Sequence, residues 1–469
     1  MTLLSGCFHY CPHLHPYSLV QTDLNQNVQA AFSSPAVSPG DIVYQQWWHF
    51  FKDPQLDRFI ELSLSCHPSI ELAEARIYWA CDQAKIARSA LLPHLFGVID
   101  VKRQKVSRFA PGFVPGFPEV FTDVTIELAT AVYELDIWRK NRSLYIAALD
   151  RMCADVANYE EAKLLLSTTI AAVYFDLQMA LARKEVTKSR LLAREELLSL
   201  RQQQWRSGVE SELPFYQVDT DVQLLKDLIL QIEDQIATDQ HALAALVGNV
   251  DCACALEGVP IVQPSAQFHQ PFPLPVSLPI DLLGRRPDIT AQKWLIEASC
   301  YDIKAARANF FPRIDLIGWL GTESIKLSKL FTGQTLIALG EATATLPIFL
   351  AGKLRAQLGV AQDELEIAIA NYNNTVLLAV QQVSDALSDL TIASEREKVL
   401  DQSIQAAAAL YQLTEQKFVN AVSDKLAVLN AFESLYIQKD LAIQVQLARY
   451  EAAVDLIRAI GGGYHECSR

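Results

Sequence analysis

The chain has 469 residues, of which 51% are hydrophobic and 20% charged, and carries a formal net charge of -14. That balance excludes a disordered or collagen-like polymer, and the acidic excess excludes a general nucleic-acid binder, which needs a basic face. The longest uncharged, apolar-looking stretch, Gly258 to Ile280, holds six prolines. A helical membrane protein is therefore excluded, whereas a β-barrel, whose strands are short and alternating, is not.

In chain order, residues 1–46 read as a leader and an extended segment. Trp47 and Trp48 precede a first helix expected from about Asp53 to Leu92, and they are placed as packing residues. Leu95, Gly97, Ile99 and Val101 then alternate with polar neighbours, as do Thr122, Val124, Ile126, Leu128, Thr130 and Val132. Period two predicts strands over about 95–106 and 121–136, joined by a Pro/Gly-rich loop from Ser107 to Val120. Between Pro118 and Gly208 there is no glycine or proline, which permits a helix from about Lys140 to Ser207, on the order of 100 Å long at 1.5 Å per residue. A shorter helix, about Leu213 to Val247, carries Leu224, Leu228, Ile232 and Ile236 at spacing four, a stripe for packing on other helices. Pro214 is tolerable at its start.

A proline-rich linker follows over 251–280. Arg286, Pro287 and Asp288 mark a helix start, with proline in the first turn and an acid favoured by the dipole. Ile314, Leu316, Gly318 and Leu320 repeat the strand pattern over about 313–321, and a weaker version covers about 336–347, with a loop from Thr322 to Thr335 between them. A second tract free of glycine and proline runs from Val360 to Ile460, with Val376, Val380, Val383, Leu387 and Leu390 at helical spacing. Residues 461–469 form a tail.

The chain is written twice. The segment Gln83 to Pro93 lines up with Asp302 to Pro312 at an offset of about 219 residues. Pro68-Ser69-Ile70 falls on Pro287-Asp288-Ile289 at the same offset. Trp205 to Val209 aligns with Phe418 to Val422, and Leu213 with Leu426. Ile137-Trp138 matches Ile348-Phe349, each just ahead of a basic pair, Lys140 and Arg142 or Lys353 and Arg355. The first repeat spans 47–250 and the second 281–460. Each reads helix, strand, strand, very long helix, turn, shorter helix. Four strands do not close a barrel with a lumen, and their edges would stay exposed. Closure by identical subunits under cyclic symmetry solves this, and three chains would supply about twelve strands.

Six short motifs in this order carry a resemblance along nearly the whole chain. They are Trp47-Trp48 with Asp53-Pro54 and Leu56, Tyr133-Glu134-Leu135-Asp136-Ile137-Trp138, Arg285-Arg286-Pro287-Asp288-Ile289, Phe310-Phe311-Pro312 after Ala308, the turn near Ala421, and Ala459-Ile460-Gly461-Gly462-Gly463-Tyr464. They resemble the outer-membrane efflux protein family, the TolC-like channels, and within it the lipoprotein branch attached to multidrug pumps. The resemblance implies a mixed α/β membrane protein, mainly α, whose trimer joins a twelve-stranded outer-membrane barrel to a long α-helical periplasmic tunnel. The implied function is the passive exit duct of a tripartite pump. The implied partners are two further copies of the chain, a periplasmic adaptor, an inner-membrane pump and outer-membrane lipid, with no nucleic acid, cofactor or metal. Two alternatives stay open: the exit duct of a type I protein-secretion system, and a non-conducting coiled-coil scaffold.

Leu4-Ser5-Gly6-Cys7 fits a lipobox, so Cys7 is the expected lipidation site, with Phe8 after it suiting the outer membrane. Six residues are too few for a signal peptide's basic and apolar regions, so the expected start lies further upstream. By the resemblance, the tunnel closes at its periplasmic tip. There Phe418, the turn Ala421-Val422, and then Leu426, Asn430 and Glu433 occupy the gate positions. Leu426 would form an apolar constriction. Asn430 stands where the family commonly has an acid and Glu433 where it commonly has a base, so three Glu433 carboxylates are expected to make a cation-attracting ring. A solvated helix face is the alternative for Glu433. Gly208 and Val209, with Ala421 and Val422, are the expected adaptor-contacting tips. Nine cysteines are present; Cys252 and Cys254 lack zinc-knuckle spacing, and no pairing follows from the sequence. No phosphate loop, metal-protease motif or nucleophile elbow appears, and no catalytic residue is assigned.

Overall fold

The computed structural model describes residues 37–39, 46–109, 114, 116–248, 272–274 and 286–464. The leader with Cys7, most of the proline-rich linker and residues 465–469 lie outside the described residues. In order, the elements are β1 (Val37–Pro39), a 3-10 turn (Trp47–Phe51), α1 (Pro54–Cys66), α2 (Pro68–Ser89), β2 (His94–Lys105), β3 (Val120–Glu134), α3 (Lys140–Arg206), α4 (Leu213–Val247), β4 (Phe272–Leu274), α5 (Pro287–Ala308), β5 (Arg313–Ser324), β6 (Leu336–Thr345), α6 (Lys353–Val419) and α7 (Lys425–Ala459). The chain is mostly helical. Both long helices have 67 residues, and both helices that follow them have 35.

One expected element divides. The helix expected from Asp53 to Leu92 breaks at His67, which is extended at φ -81° and ψ 130°. Pro68 is the cause: its ring disfavours helical backbone at the residue before it and removes one N–H from the ladder. Asp53 starts α1 as an N-cap, its Oδ1 accepting from the backbone N–H of Gln55 at 2.9 Å and of Leu56 at 3.3 Å.

The chain falls into two compact units. The first holds, among the described residues, Arg76–Val156 and Ala291–Tyr372. Its centre is a four-stranded sheet in the order β2-β3-β5-β6, with every neighbour antiparallel. Within this sheet the two halves of the chain join at the β3–β5 ladder. There the register slips between Glu127 and Ala129, a bulge that the alternating pattern does not foretell. Gly321, opposite Glu127, makes the bulge possible, because a Cβ there would collide with the carbonyl oxygen of Ile126 and lie 2.9 Å from the Cα of Glu127. β2 and β6 are the sheet's two edges, and Leu95, Ile99 and Val101 of β2 are exposed.

The second unit is helical, apart from the short parallel pair β1–β4. Its core includes an aromatic cluster in which the rings of Phe175 and Tyr450 stack at 4.3 Å and Phe51 lies 5.0 Å from Phe175. The buried Trp47 donates its indole N–H to Ser167 Oγ at 3.3 Å, so the two tryptophans pack as expected. Two motifs far apart in sequence meet here: Arg286, buried, pairs with Asp288 at 2.8 Å and donates from Nη1 to the carbonyl oxygen of Ala459 at 2.8 Å. Gly462, at φ +56°, packs so closely on Leu164 that a Cβ would collide with it. α3 contains one window apolar enough by composition to cross a membrane, and 67% of that window is buried inside the protein. Packing between helices accounts for its hydrophobicity.

Candidate functional site

All the residues assigned to the gate and the tips lie in the helical unit. α3 ends in a turn where Gly208, at φ +71°, donates its N–H to Trp205 O at 2.9 Å and Val209 donates to Gln204 O at 3.0 Å. α6 ends the same way. Ala421, at φ +61°, donates to Phe418 O at 2.9 Å and Val422 to Lys417 O at 2.8 Å. In each turn a left-handed residue lets the chain cap its own last carbonyls before reversing into the next helix. Val209 and Val422 are both exposed at these reversals.

Beyond the second turn, Asp424 caps α7 by accepting from the N–H of Ala427 at 2.9 Å. Leu426, Asn430 and Glu433 follow at spacings of four and three, which places them along one stripe of the helix. The structure gives the three different settings. Leu426 is half-buried and packs against a cluster of Ala193, Leu197, Val218 and Leu429. Asn430 is exposed. Phe418 is 40% exposed, with the Lys425 ammonium 6.0 Å from its ring centroid. Lys425 also pairs with Glu196 at 3.1 Å. Beside them is a cleft of about 330 Å³, floored by the stacked rings of Phe432 and Tyr436, 4.1 Å apart.

Glu433 differs from its expected setting. It is 5% exposed, and its Oε1 accepts from Arg190 Nε at 3.0 Å and Nη2 at 2.8 Å, while Arg194 lies 3.8 Å from Oε2. A carboxylate held by two guanidinium groups within its own chain presents little free charge to a pore, and it is not on a solvated face either. The physical reason is local: burying a carboxylate is costly unless a cation is buried with it, and α3 supplies two.

Arg190 and Arg194 are the residues that sequence reasoning missed. A signal for them exists. Arg183 and Arg190 are seven apart on α3, and Glu433 and Asp440 are seven apart on α7. Arg183 Nε meets Asp440 Oδ1 at 2.9 Å just as Arg190 meets Glu433, and one heptad further Leu426 packs against the cluster that contains Leu197. An antiparallel helix pair in heptad register produces this ladder.

Comparison with known proteins defines the class. The outer membrane efflux protein family model matches residues 59–249 and 278–462. The chain belongs to the outer membrane efflux protein family and is thus an outer-membrane protein. It is 30% identical over 440 residues to the probable efflux pump outer membrane protein TtgC of Pseudomonas putida, covering 92% of this chain and 89% of that one. It is 30% identical over 423 residues to the outer membrane protein OprJ of Pseudomonas aeruginosa, covering 90% and 86%. Among solved structures it is similar to the outer membrane protein VceC of Vibrio cholerae, with a TM-score of 0.78 at 27% identity, over 91% of this chain and 100% of that one. The CmeC outer membrane channel of Campylobacter jejuni shares the fold, with a TM-score of 0.84 at 22% identity over 98% and 96%. The fold is that of the TolC-like channels.

Proposed function

We propose that three copies of this chain form the outer-membrane duct of a tripartite efflux pump and carry small molecules or drugs passively across the periplasm and outer membrane. The observation that carries the reading is the open four-stranded sheet, whose edges β2 and β6 pair with no further strand among the described residues. Three such sheets joined edge to edge close a barrel of about twelve strands, wide enough for water and solute. The helices of three chains make the periplasmic tunnel, and an inner-membrane pump supplies the energy. Relatives named as antibiotic and toluene efflux components favour small solutes over secreted proteins. Cys7 anchors the leader through its lipid, and the exposed turns at Gly208-Val209 and Ala421-Val422 meet the adaptor, whose helices fit grooves between helices.

In this reading Leu426 and Asn430 narrow the tunnel beside Phe418, and Glu433 sets the position of α7 against α3. The test is native mass in mild detergent followed by single-channel recording in a planar bilayer. A mass of three chains, with a small conductance that Leu426→Ser enlarges, is the expected result. A chain that is monomeric and soluble without detergent overturns the duct.

A further inference from the structure

The two places where a strand hands over to a long helix are related by the internal repeat, yet they are satisfied differently. In the first repeat, Asp136 accepts from the N–H of Asn141 at 3.0 Å and of Arg142 at 2.7 Å, which caps α3. Lys140 pairs with Glu134 at 2.5 Å. Trp138 donates its indole N–H to Pro312 O at 2.8 Å and stacks on Phe311 at 4.7 Å. The elbow is closed upon itself.

The second elbow has the same plan without the partners. β6 ends at Thr345 and is followed by Leu346-Pro347-Ile348-Phe349-Leu350, in which Ile348 is 91% and Phe349 83% exposed. The chain then turns through Ala351 and Gly352, at φ +50° and +87°, into α6. The first turn of α6 carries Lys353 and Arg355 and no acid. Both are exposed, and neither has an ion-pair partner among the described residues. Two cations at a helix N-terminus oppose the dipole, so this arrangement costs stability unless an anion sits there.

We propose that this second elbow is a docking site for the headgroup of an anionic phospholipid in the periplasmic leaflet of the outer membrane. The proposal rests on the duct reading, because it needs β6 to lie in the bilayer. Continuity then fixes the occupant. A chain leaving a membrane strand passes through the headgroup layer, where aromatic residues settle. Ile348 and Phe349 enter the acyl boundary, and Lys353 and Arg355 hold the phosphate. The first elbow, where Glu134 pairs with Lys140 and the Asp136 carboxylate already occupies the helix N-terminus, binds no such lipid.

The test uses the full chain, delipidated in mild detergent and titrated with phosphatidylglycerol or phosphatidylcholine, with bound lipid counted by native mass spectrometry. A basic side chain near an anionic surface strengthens association about fivefold, so the pair predicts a phosphatidylglycerol preference that falls roughly 30-fold in Lys353→Gln/Arg355→Gln. A control pair on the helical unit, Lys398→Gln/Lys417→Gln, leaves it unchanged. A photo-crosslinker at Phe349 is expected to capture lipid acyl chains in phosphatidylglycerol vesicles. Equal retention of the two lipids, a preference that survives in the Lys353/Arg355 variant, or capture of a second copy of the chain instead of lipid overturns the site. None of these outcomes bears on the duct, whose own test is conductance and mass of the same preparation.

Discussion

The two helical reversals use the same hydrogen bonds, but the residues that make them contribute in opposite ways. At the first, a glycine takes the left-handed position at no steric cost, and α4 begins without a side-chain cap from Glu212. At the second, an alanine takes that position, and α7 begins with the capping carboxylate of Asp424. A non-glycine residue held at positive φ is strained by roughly 1–2 kcal/mol, and an N-cap returns about 1 kcal/mol. Past the second turn the Arg190–Glu433 pair fastens α7 to α3. The second hairpin is thus a strained reversal fastened from outside to α3, and the first is a relaxed one that also carries an ion pair of its own, Arg201 with Glu210. A strained turn held from outside is an element that can be released, which suits the hairpin assigned to the gate better than the other.

The largest way to break this difference is to remove the fastening. Glu433→Ala leaves the partly buried Arg190, its side chain 15% exposed, without its carboxylate, and breaking such a pair costs toward the low end of the roughly 3–5 kcal/mol of a fully buried one. The variant is expected to melt earlier and, as a duct, to conduct more. Arg190→Ala has a similar effect, and the double variant loses less than the two singles together, with a coupling of about 1–3 kcal/mol in a thermal-unfolding cycle. Additive losses would mean that the pair does not act as a unit.

Elsewhere in the helical unit the acids behave otherwise. Burial first, then the nearby Asp239, raises the Asp176 carboxyl above its ordinary value. Burial likewise raises Asp239, Glu451 and Asp455, with Asp176 and then Asp455 pushing Glu451 further. A raised carboxyl binds its proton more tightly folded than unfolded. Its contribution is complete below the ordinary carboxylate range and is lost as pH rises through the raised pKa. Unfolding of the helical unit is therefore expected to become easier from mildly acidic to neutral pH, and Asp239→Asn flattens that slope. A steeper slope in the variant would contradict the assignment.

How much of this was legible follows from which signals are local. The absence of glycine and proline made the helix at 140–206 readable, and that at 353–419 from Val360 onward, because punctuation is a local property. The strands were readable as alternation, but not the ladder between β3 and β5, since a face pattern does not choose a partner or announce the bulge at Glu127. The break at His67 was readable from Pro68 alone, although the helical composition on both sides masked it. At the candidate site, Leu426 and Asn430 came from resemblance. The setting of Glu433 depends on Arg190, 243 residues earlier, and only the matching heptads on two helices connect them.

Removing the cap is the next smaller step. Asp424→Ala frees the N–H of Ala427 at an exposed helix start, and a lost N-cap costs about 1 kcal/mol. Hydrogen exchange at the first turn of α7 should speed up about fivefold, while the start of α4, which has no such cap, should respond little to Glu212→Ala. Equal responses at both starts would remove the asymmetry.

The smallest effect exchanges the left-handed residues. Ala421→Gly relieves the positive-φ strain but adds backbone freedom to the unfolded chain, so the net gain is roughly 0.5–1 kcal/mol. Gly208→Ala imposes the same strain in reverse. Nothing lies within 4 Å of the Cβ it would add, so no clash contributes and the cost is conformational alone, again about 1 kcal/mol. Hydrogen exchange of the Val209 and Val422 amides, whose bonds close the two turns, reads each change where it occurs. Opposite signs of similar size are expected. If Ala421→Gly slows exchange at Val422 and also lowers the frequency of channel opening, the strain stored at that alanine is part of how the hairpin is released. If exchange slows and opening is unchanged, the strain belongs to the turn alone, and release depends on the Arg190–Glu433 contact.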